Sequence, residues 1–324
     1  MKSLDQLQEM LNTAFASIQY PEKPAGLFDP IAYTMAQGGK RLRPMMVLLA
    51  CDTWSEEPER AINAAIGIEL FHNFTLIHDD IMDDAPLRRG KETVYKKWDA
   101  NTAILSGDAM FALATEYMAR VQSERTPDII RLFAKTAREV CEGQQFDMEF
   151  ETSEKIGLCD YLEMIRLKTA VLLACSLETG ALIGGAEPDE AKILYDFGIQ
   201  LGLCFQIKDD YLDLFGDEQL FGKKTGGDIR ARKKTYLFLK SMELAGKDTR
   251  EELSSLYHKN SGKEEEIHRR IVDIYLDLQI REIAQDEMER LFKHSIEILN
   301  TLKIDVGKKQ RLSVFANNLL NRIH

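Results

Sequence analysis

The chain contains 324 residues, which is long enough to bury a substantial hydrophobic core. Hydrophobic residues make up 44% of it and charged residues 29%, an ordinary composition for a soluble globular protein. The formal net charge of -11 at pH 7 argues against nucleic acid and anionic membrane surfaces as partners, because both repel an acidic protein. Phosphate groups that are held through a metal ion remain compatible with this charge.

The cysteines and the hydrophobic pattern indicate a cellular compartment. The five cysteines are scattered and odd in number, which predicts small core residues in a reducing cytosol rather than disulfides or zinc ligands. The N-terminus shows no signal peptide, and no uninterrupted apolar run approaches the roughly 18–20 residues of a membrane-spanning helix. We therefore expect a cytoplasmic protein without a membrane span. The cysteines are Cys51, Cys141, Cys159, Cys175 and Cys204.

Helical periodicity dominates the chain from end to end, and no convincing strand or hairpin pattern interrupts it. The last of the eight prolines is Pro188, so the final third of the chain is free to form long helices. No low-complexity linker or sharp change of composition marks a boundary. The sequence predicts an all-α protein, a helical bundle with a single domain over residues 1–324.

The first informative motif is the run Gly-Gly-Lys-Arg-Leu-Arg-Pro at residues 38–44. Glycines allow the backbone to approach a ligand closely, and Lys40 and Arg43 offer donors for phosphate, Arg43 with a bidentate fork. The alternative is a loop-to-helix junction with basic residues on its surface.

The next element is a largely apolar helix predicted over residues 64–84. His72 lies seven residues, or about two turns, before Asp79 and shares its face, which favours a phosphate contact. The alternative for His72 is a satisfied core or cap histidine. We expect His78 to be packed or hydrogen-bonded locally.

This helix ends in four carboxylates within six residues, at positions 79–84. Asp79 and Asp83 stand at i and i+4 on one face, with Asp80 beside them. Like charges this close repel unless a cation shares them, and Mg²⁺ prefers carboxylate oxygens. A solvated acidic helix surface is the alternative interpretation. Pro86 then breaks the helix and delivers Arg88 and Arg89 on a loop, where adjacent side chains point in two directions.

A second pair of informative residues, Lys168 and Thr169, interrupts the apolar helix predicted over residues 161–183. Burying a lysine costs several kcal/mol unless it is paired, and an anionic substrate is a fitting partner. The alternative is a lysine at the rim of the core that extends its ammonium group to water.

The acidic design recurs at Asp209, Asp210 and Asp213, with Gln206 one turn earlier on the same side. Two DDxxD patterns on helical backgrounds predict one site for several Mg²⁺ ions, reached from two helices of the bundle. Because Mg²⁺ commonly binds through a few carboxylates plus substrate phosphates, the sequence predicts a phosphorylated substrate.

A polar, glycine-rich break at residues 222–234 follows the second acidic motif and supplies Lys223 and Lys233. These lysines neutralise phosphate if the segment closes over the site and excludes water. A solvated loop is the alternative.

These motifs, in this order, resemble those of the trans-type polyprenyl diphosphate synthases, which include farnesyl and geranylgeranyl diphosphate synthases. The resemblance runs from residues 38–44 through 78–84, 88–90, 168–169 and 205–213 to 222–223, and so covers nearly the whole chain. It implies an all-α isoprenoid synthase fold with a central cavity. It also implies head-to-tail condensation of isopentenyl diphosphate with an allylic diphosphate, dimethylallyl, geranyl or farnesyl, to a C15–C20 product.

The resemblance assigns a role to each candidate residue. About three Mg²⁺ ions would be held by Asp79, Asp80, Asp83, Asp209, Asp210 and Asp213. Isopentenyl diphosphate would contact Lys40, Arg43, His72 and Arg89, and the allylic diphosphate Arg88, Lys168, Lys223 and Lys233. The groups that act on the reacting allyl unit and its leaving diphosphate would be Lys168, Thr169, Gln206 and Lys223.

Chain length and assembly follow from the same resemblance. Phe74 and Thr75, five and four residues before Asp79, would form the floor against which the product grows. The family also suggests a homodimer. The rival interpretations are a class I terpene cyclase and a non-catalytic subunit of a heteromeric synthase. The first usually carries a different second metal motif, and the second would be expected to have degraded aspartate motifs.

Overall fold

The computed structural model describes residues 1–153, 155–216, 225–258 and 264–321. The chain divides into two compact units, one formed by Met1–Lys135 and Cys175–Leu194, the other by Thr136–Ala174 and Tyr195–His324. Helices dominate both units, which confirms the predicted all-α class. The prediction of one domain over residues 1–324 concerns the chain as a whole and stays a prediction.

The first unit contains the helices that carry the first aspartate motif. A 3-10 turn at Pro58–Ala61 precedes α4, and Asp99 caps α6 by accepting a hydrogen bond from the Thr102 amide at 2.9 Å. The helices are α1 (Leu4–Ala16), α2 (Ala25–Ala36), α3 (Leu42–Trp54), α4 (Ile62–Met82), α5 (Val94–Lys97) and α6 (Ala100–Ala119). The unit also takes the start of α7 (Thr126–Thr152), most of α9 (Val171–Gly184) and the start of α10 (Pro188–Phe215).

The second unit contains the remainder of α7, α9 and α10 together with the C-terminal helices. A π-helical turn, Arg166–Ala170, joins α8 to α9. The other helices are α8 (Leu158–Ile165), α11 (Gly227–Arg230), α12 (Tyr236–Leu244), α13 (Lys247–His258), α14 (Glu264–Asp277), α15 (Ile280–Asn300) and α16 (Val306–Asn321).

A small hairpin departs from the predicted absence of strands. Strand β1 (Leu87–Arg88) pairs antiparallel with β2 (Lys91–Glu92). The two residues between them, Arg89 and Gly90, both have positive φ, at 53° and 74°. Positive φ at both central positions is the signature of the type I′ turn that matches strand twist. Two-residue strands are too short for an alternating pattern, so the sequence offered no signal for them.

In the first unit, α9 packs on α3 through glycines. A Cβ at Gly180 would overlap the Val47 carbonyl oxygen, and a Cβ at Gly184 would lie 2.6 Å from that of Cys51. The two glycines stand at i and i+4, so they form one smooth face of the helix. This face allows the two backbones to approach more closely than any side chain permits.

The helix through Leu158–Gly184 is long and apolar enough to cross a membrane by length and composition, with a mean hydropathy of 1.4 over its most apolar window. The apolar run is not uninterrupted, because Arg166, Lys168 and Glu178 lie within this helix. However, 83% of that window is buried inside the protein, as is typical of a core helix.

The cysteine prediction is confirmed in part. Cys51, Cys175 and Cys204 are buried, whereas Cys141 and Cys159 are exposed on helix surfaces, so these two are not core residues. None of the five forms a disulfide in the structure.

We expect Gly180→Ala to destabilise the protein by about 1–3 kcal/mol, because the added methyl group collides with a backbone oxygen that cannot move independently. Chemical unfolding measures this change. Gly26→Ala is the matched control, since nothing lies within 4 Å of the added carbon at that position of α2. Reduced backbone entropy in the unfolded chain should make it neutral or stabilising. Equal stability of the two variants would contradict the proposed close packing.

Candidate active site

The first aspartate motif lies at the C-terminal end of α4 in the first unit. The Asp83 amide donates to the Asp79 carbonyl at 2.8 Å and ends the helix there. Asp79 is half-buried and Asp83 is exposed, whereas Asp80 is only 4% exposed. Arg88 Nε donates to Asp80 Oδ1 at 2.7 Å. The middle carboxylate is thus bonded by the protein itself, while its two neighbours reach the surface.

Burial and charge compete at Asp80. Burial raises the pKa of Asp80, and the nearby Arg88 guanidinium opposes this rise. The Arg88 guanidinium thus stabilises the charged form of Asp80, which has little contact with solvent. The last acidic residue of the run, Asp84, is engaged elsewhere, because Tyr95 Oη donates to Oδ1 at 2.9 Å and Lys96 Nζ at 3.2 Å.

The hairpin turn sends the two predicted arginines in different directions, as expected. Arg88 turns to Asp80, whereas Arg89 Nη1 donates to the Gly38 carbonyl. A Cβ at Gly39 would lie 2.8 Å from Arg89 Cζ, and the φ of Gly39 is 134°. The glycines of residues 38–44 therefore provide the close approach that the Arg89 guanidinium requires.

Arg43 and His72 also meet in this unit, with Arg43 Nη1 and His72 Nε2 3.3 Å apart. Because a guanidinium can only donate, Nε2 accepts, and the proton of the neutral ring lies on Nδ1. Burial, and after it the charges of Arg43, Arg89 and Arg88, hold the pKa of His72 well below its usual value. His72 is therefore neutral, and its Nδ1–H group is a hydrogen-bond donor. Lys40 is exposed and lies two residues before α3 begins.

Sequence reasoning missed Glu69, a carboxylate inside the apolar part of α4 that is 4% exposed. Asn73 Nδ2 donates to Glu69 Oε1 at 3.2 Å. Burial raises the pKa of Glu69, and the charges of Arg43 and Arg89 lower it. The signal was available, because a glutamate on a helix of apolar neighbours requires a partner.

The two predicted chain-length residues have different surroundings. The Phe74 ring is 9% exposed and stacks on Phe111 of α6, with ring centroids 5.3 Å apart and an interplanar angle of 16°. Phe71 and His78 also contact Phe74, with centroids at 5.5 and 4.8 Å. Thr75 is half-buried, and its hydroxyl donates to the His72 carbonyl at 2.8 Å. Phe74 is therefore held by an aromatic cluster.

His78 is bonded locally, as predicted. Its Nε2 lies 3.2 Å from the Ile104 carbonyl oxygen, against the face of α6 that Gly107 leaves open.

The second aspartate motif lies on α10 in the second unit and repeats the pattern of the first. Asp210 is 4% exposed, and its Oδ2 accepts from the Tyr161 hydroxyl and from the Tyr236 amide at 3.0 Å. Gln206 Nε2 donates to Oδ1 at 3.3 Å. Burial raises the pKa of Asp210 to about 7, against the lowering effect of these bonds. Asp209 is exposed and Asp213 half-buried.

Asp213 also organises the segment after the motif. Its Oδ2 accepts from the Asp228 amide at 2.9 Å, and its carbonyl accepts from the Gly226 amide at 2.6 Å. Burial, followed by the charges of Asp213 and Asp210, raises the pKa of Asp228 to about 7. Asp228 is a further carboxylate near the motif that sequence reasoning did not select.

Lys168 and Thr169 lie in the π-helical turn between α8 and α9. The Thr169 hydroxyl donates to Gln206 Oε1 at 2.9 Å, so two predicted site residues are joined directly. Lys168 Nζ lies 2.6 Å from Asp147 Oδ2, and both side chains are about three-quarters buried, at 24% and 28% exposure. The lysine is therefore paired, as its place in an apolar helix required.

The lysines after the second motif form different contacts. The charge of Lys233 lowers the pKa of Asp228, and its amide donates to the Asp228 carbonyl at 2.9 Å. Its neighbour Lys234 donates to the Phe150 and Ser153 carbonyls at 2.9 and 2.6 Å, at the C-terminal end of α7. Lys223 lies outside the described residues.

The carboxylate oxygens of the two motifs suit a hard cation that binds together with a phosphorylated substrate. Across residues 1–153, 155–216, 225–258 and 264–321, no three side chains of His, Cys, Asp or Glu converge closely enough to hold a metal ion alone. Mg²⁺ often binds through one or two carboxylates plus substrate phosphates and water. The carboxylates that reach the surface provide oxygen ligands of that type: Asp79, Asp83, Asp209 and Asp213.

Comparisons with known proteins identify the family of the chain. A profile of the polyprenyl synthetase family matches residues 24–275. The geranylgeranyl pyrophosphate synthase of Geoglobus acetivorans is 36% identical over 324 residues, covering 98% of this chain and 97% of its own length.

Solved structures extend the likeness to the fold. A geranylgeranyl pyrophosphate synthase superposes with a TM-score of 0.94 at 42% identity, with 99% of each chain covered. The geranylgeranyl pyrophosphate synthetase of Pyrococcus horikoshii Ot3 gives a TM-score of 0.89 at 33% identity, with 98% of each chain covered. The chain belongs to the polyprenyl synthetase family and is a prenyltransferase.

Proposed function

We propose that this protein condenses isopentenyl diphosphate head-to-tail with an allylic diphosphate and releases diphosphate, with the C20 product geranylgeranyl diphosphate as its main product. The observation that carries the proposal is the shared design of the two aspartate motifs. In each, the middle carboxylate is buried and anchored by protein donors, and the outer two are more exposed. The names of the similar proteins support C20 over C15.

The two aspartate motifs together form the proposed site for Mg²⁺, with about three ions per active site by analogy with the family. Bound Mg²⁺ neutralises charge on the leaving diphosphate and so lowers the barrier to ionisation. The direct ligands are the outer aspartates, Asp79, Asp83, Asp209 and Asp213. The anchored Asp80 and Asp210 add negative charge and hold each helix segment in place.

Isopentenyl diphosphate is the proposed ligand of Lys40, Arg43, His72 and Arg89. Arg89 donates to the Gly38 carbonyl and Arg43 to His72 Nε2, and each guanidinium carries five N–H donors in a fork that suits phosphate oxygens. A neutral His72 donates through Nδ1 without adding charge. Preorganised donors of this kind bind a diphosphate without a large cost in side-chain entropy.

The allylic diphosphate is the proposed ligand of Arg88, Lys168, Lys223 and Lys233. When its carbon–oxygen bond breaks, Lys168 and Lys223 stabilise the negative charge that develops on the leaving group. The positive charge on the allyl unit is stabilised by the Thr169 hydroxyl oxygen and the Gln206 amide oxygen. The isopentenyl double bond then attacks, and the released diphosphate takes the final proton, since no His or Glu side chain is assigned as a base.

The proposed setting of the enzyme is a cytoplasmic homodimer that binds neither nucleic acid nor membrane. Self-association is supported by exposed apolar side chains on α6. Ile104, Leu105 and Phe111 are 43%, 61% and 37% exposed. Exposed apolar side chains that lie close together often mark a protein–protein interface.

A product assay tests the proposed activity. Purified protein with Mg²⁺ and isopentenyl diphosphate should convert dimethylallyl, geranyl or farnesyl diphosphate to a linear C20 product, sized after dephosphorylation. Chelation of Mg²⁺ should abolish turnover, and Asp79→Ala should lower it by several orders of magnitude through loss of leaving-group stabilisation. A cyclic hydrocarbon formed without isopentenyl diphosphate would indicate a cyclase. Absence of turnover with every allylic substrate would indicate a non-catalytic subunit.

The isopentenyl site is tested by Arg89→Gln. Loss of one charged hydrogen-bonding partner should raise the KM for isopentenyl diphosphate about 10- to 100-fold, because such bonds contribute roughly 1.5–3 kcal/mol. The KM for the allylic substrate should change less than about twofold. Lys91→Gln, which removes an exposed cation from the neighbouring strand, is the matched control. Equal effects on both KM values would refute the assignment of Arg89.

Chain length is tested by Phe74→Ala. Removing the ring that stacks on Phe111 opens the aromatic cluster, so longer products should appear by chromatography. Phe292→Ala makes the same substitution at a half-buried position of α15 and should leave the product unchanged. If Phe74→Ala retains the wild-type product distribution, Phe74 is not the floor.

A further inference from the structure

We propose that Asp147 is a positioning residue for the reaction, which holds the Lys168 ammonium group in the orientation that the allylic diphosphate requires. The observation is the contact of 2.6 Å between Asp147 Oδ2 and Lys168 Nζ in the second unit. The proposal rests on the function proposed above for Lys168. It assigns to Asp147 an effect that acts through Lys168, without contact to substrate.

The backbone at Lys168 is positioned by two glycines. A Cβ at Gly143 of α7 would overlap the Lys168 amide nitrogen, and a Cβ at Gly202 of α10 would lie 2.5 Å from Ala170 Cα. Both helices therefore touch the π-helical turn directly. Such turns carry one residue more than an α-helical turn and frequently occur at functional sites.

Asp147 follows Gly143 by four residues, so both lie on the same face of α7. Gly143 allows α7 to approach the π-helical turn. Asp147, one helical turn further along α7, accepts a hydrogen bond from the Lys168 ammonium group. Backbone and ammonium group of Lys168 are thus held by one helix face. On the other side, Thr169 is fixed by Gln206 at 2.9 Å.

The ion pair with Asp147 positions the Lys168 ammonium group and still allows it to bind a diphosphate. A lysine side chain has several rotatable bonds, so an unpaired ammonium group samples many positions. The ammonium group carries three donors, and one bond to Asp147 leaves two for a diphosphate. Asp147 therefore restricts Lys168 before the substrate binds and does not have to release it afterwards.

A purely structural ion pair is the competing explanation, and the chain offers a comparison. Arg166, two residues earlier in the same turn, forms a bidentate pair with Glu163 at 2.7 Å on a more exposed surface. Glu163→Gln removes a carboxylate that is bonded to a residue of the same turn, and it alters no proposed substrate contact. It is therefore a suitable control for Asp147→Asn.

The experiment compares steady-state kinetics of wild type, Asp147→Asn, Asp147→Glu, Lys168→Met, the double variant and Glu163→Gln, with geranyl and isopentenyl diphosphates and Mg²⁺. Asp147→Asn should lower kcat/KM for geranyl diphosphate about 10- to 100-fold, the range that displacement of a catalytic group by about 1 Å produces. The KM for isopentenyl diphosphate should stay within about twofold, and Asp147→Glu should recover part of the loss. Glu163→Gln should match wild type.

The double variant separates positioning from structure. If Asp147 acts through Lys168, Asp147→Asn should cause no further loss in the Lys168→Met background. An additive loss, or wild-type kinetics for Asp147→Asn, would overturn the proposal. Unfolding curves identify any variant that fails to fold, in which case Asp147→Glu gives the same comparison. If Lys168→Met is as fast as wild type, the role of Lys168 and the proposal fall together, while wild-type turnover still supports the activity.

Discussion

Both aspartate motifs depend on the anchoring of one buried carboxylate. Asp80 is bonded by Arg88, and Asp210 by Tyr161, Gln206 and the Tyr236 amide. A buried carboxylate without such donors would be costly, and adjacent carboxylates repel each other. By bonding the middle aspartate, the protein overcomes part of this repulsion and holds the outer two carboxylates at the surface. The arrangement of the proposed metal ligands therefore depends on bonds that do not involve metal.

Close backbone approach is the second constraint. Gly39 leaves room for the Arg89 guanidinium, Gly143 and Gly202 allow two helices to touch the turn of Lys168, and Gly180 brings α9 onto α3. At each position a single methyl group would displace a functional side chain or the helix that carries it. Small residues thus determine the positions of cations and hydroxyl groups in a protein formed almost entirely of helices.

Three cations that are proposed to bind diphosphate have acceptors within the protein. Arg88 and Lys168 pair with carboxylates, and Arg89 bonds a carbonyl oxygen. Such pairing limits repulsion among the cations and preserves their orientation. Each side chain has more than one N–H donor, so the proposed diphosphate ligand would add bonds to a side chain that is already ordered.

The sequence by itself determined the helical class, the two aspartate motifs and the residues around them, because neighbours at i and i+4 on a helix follow from helix geometry alone. The alignment of His72 with Asp79 and of Gln206 with Asp210 was predictable for the same reason. Only the tertiary structure decided which aspartates are buried, where the π-helical turn lies and that Asp147 pairs with Lys168. These features depend on helix crossings and on contacts between residues distant in the chain, which no local spacing specifies.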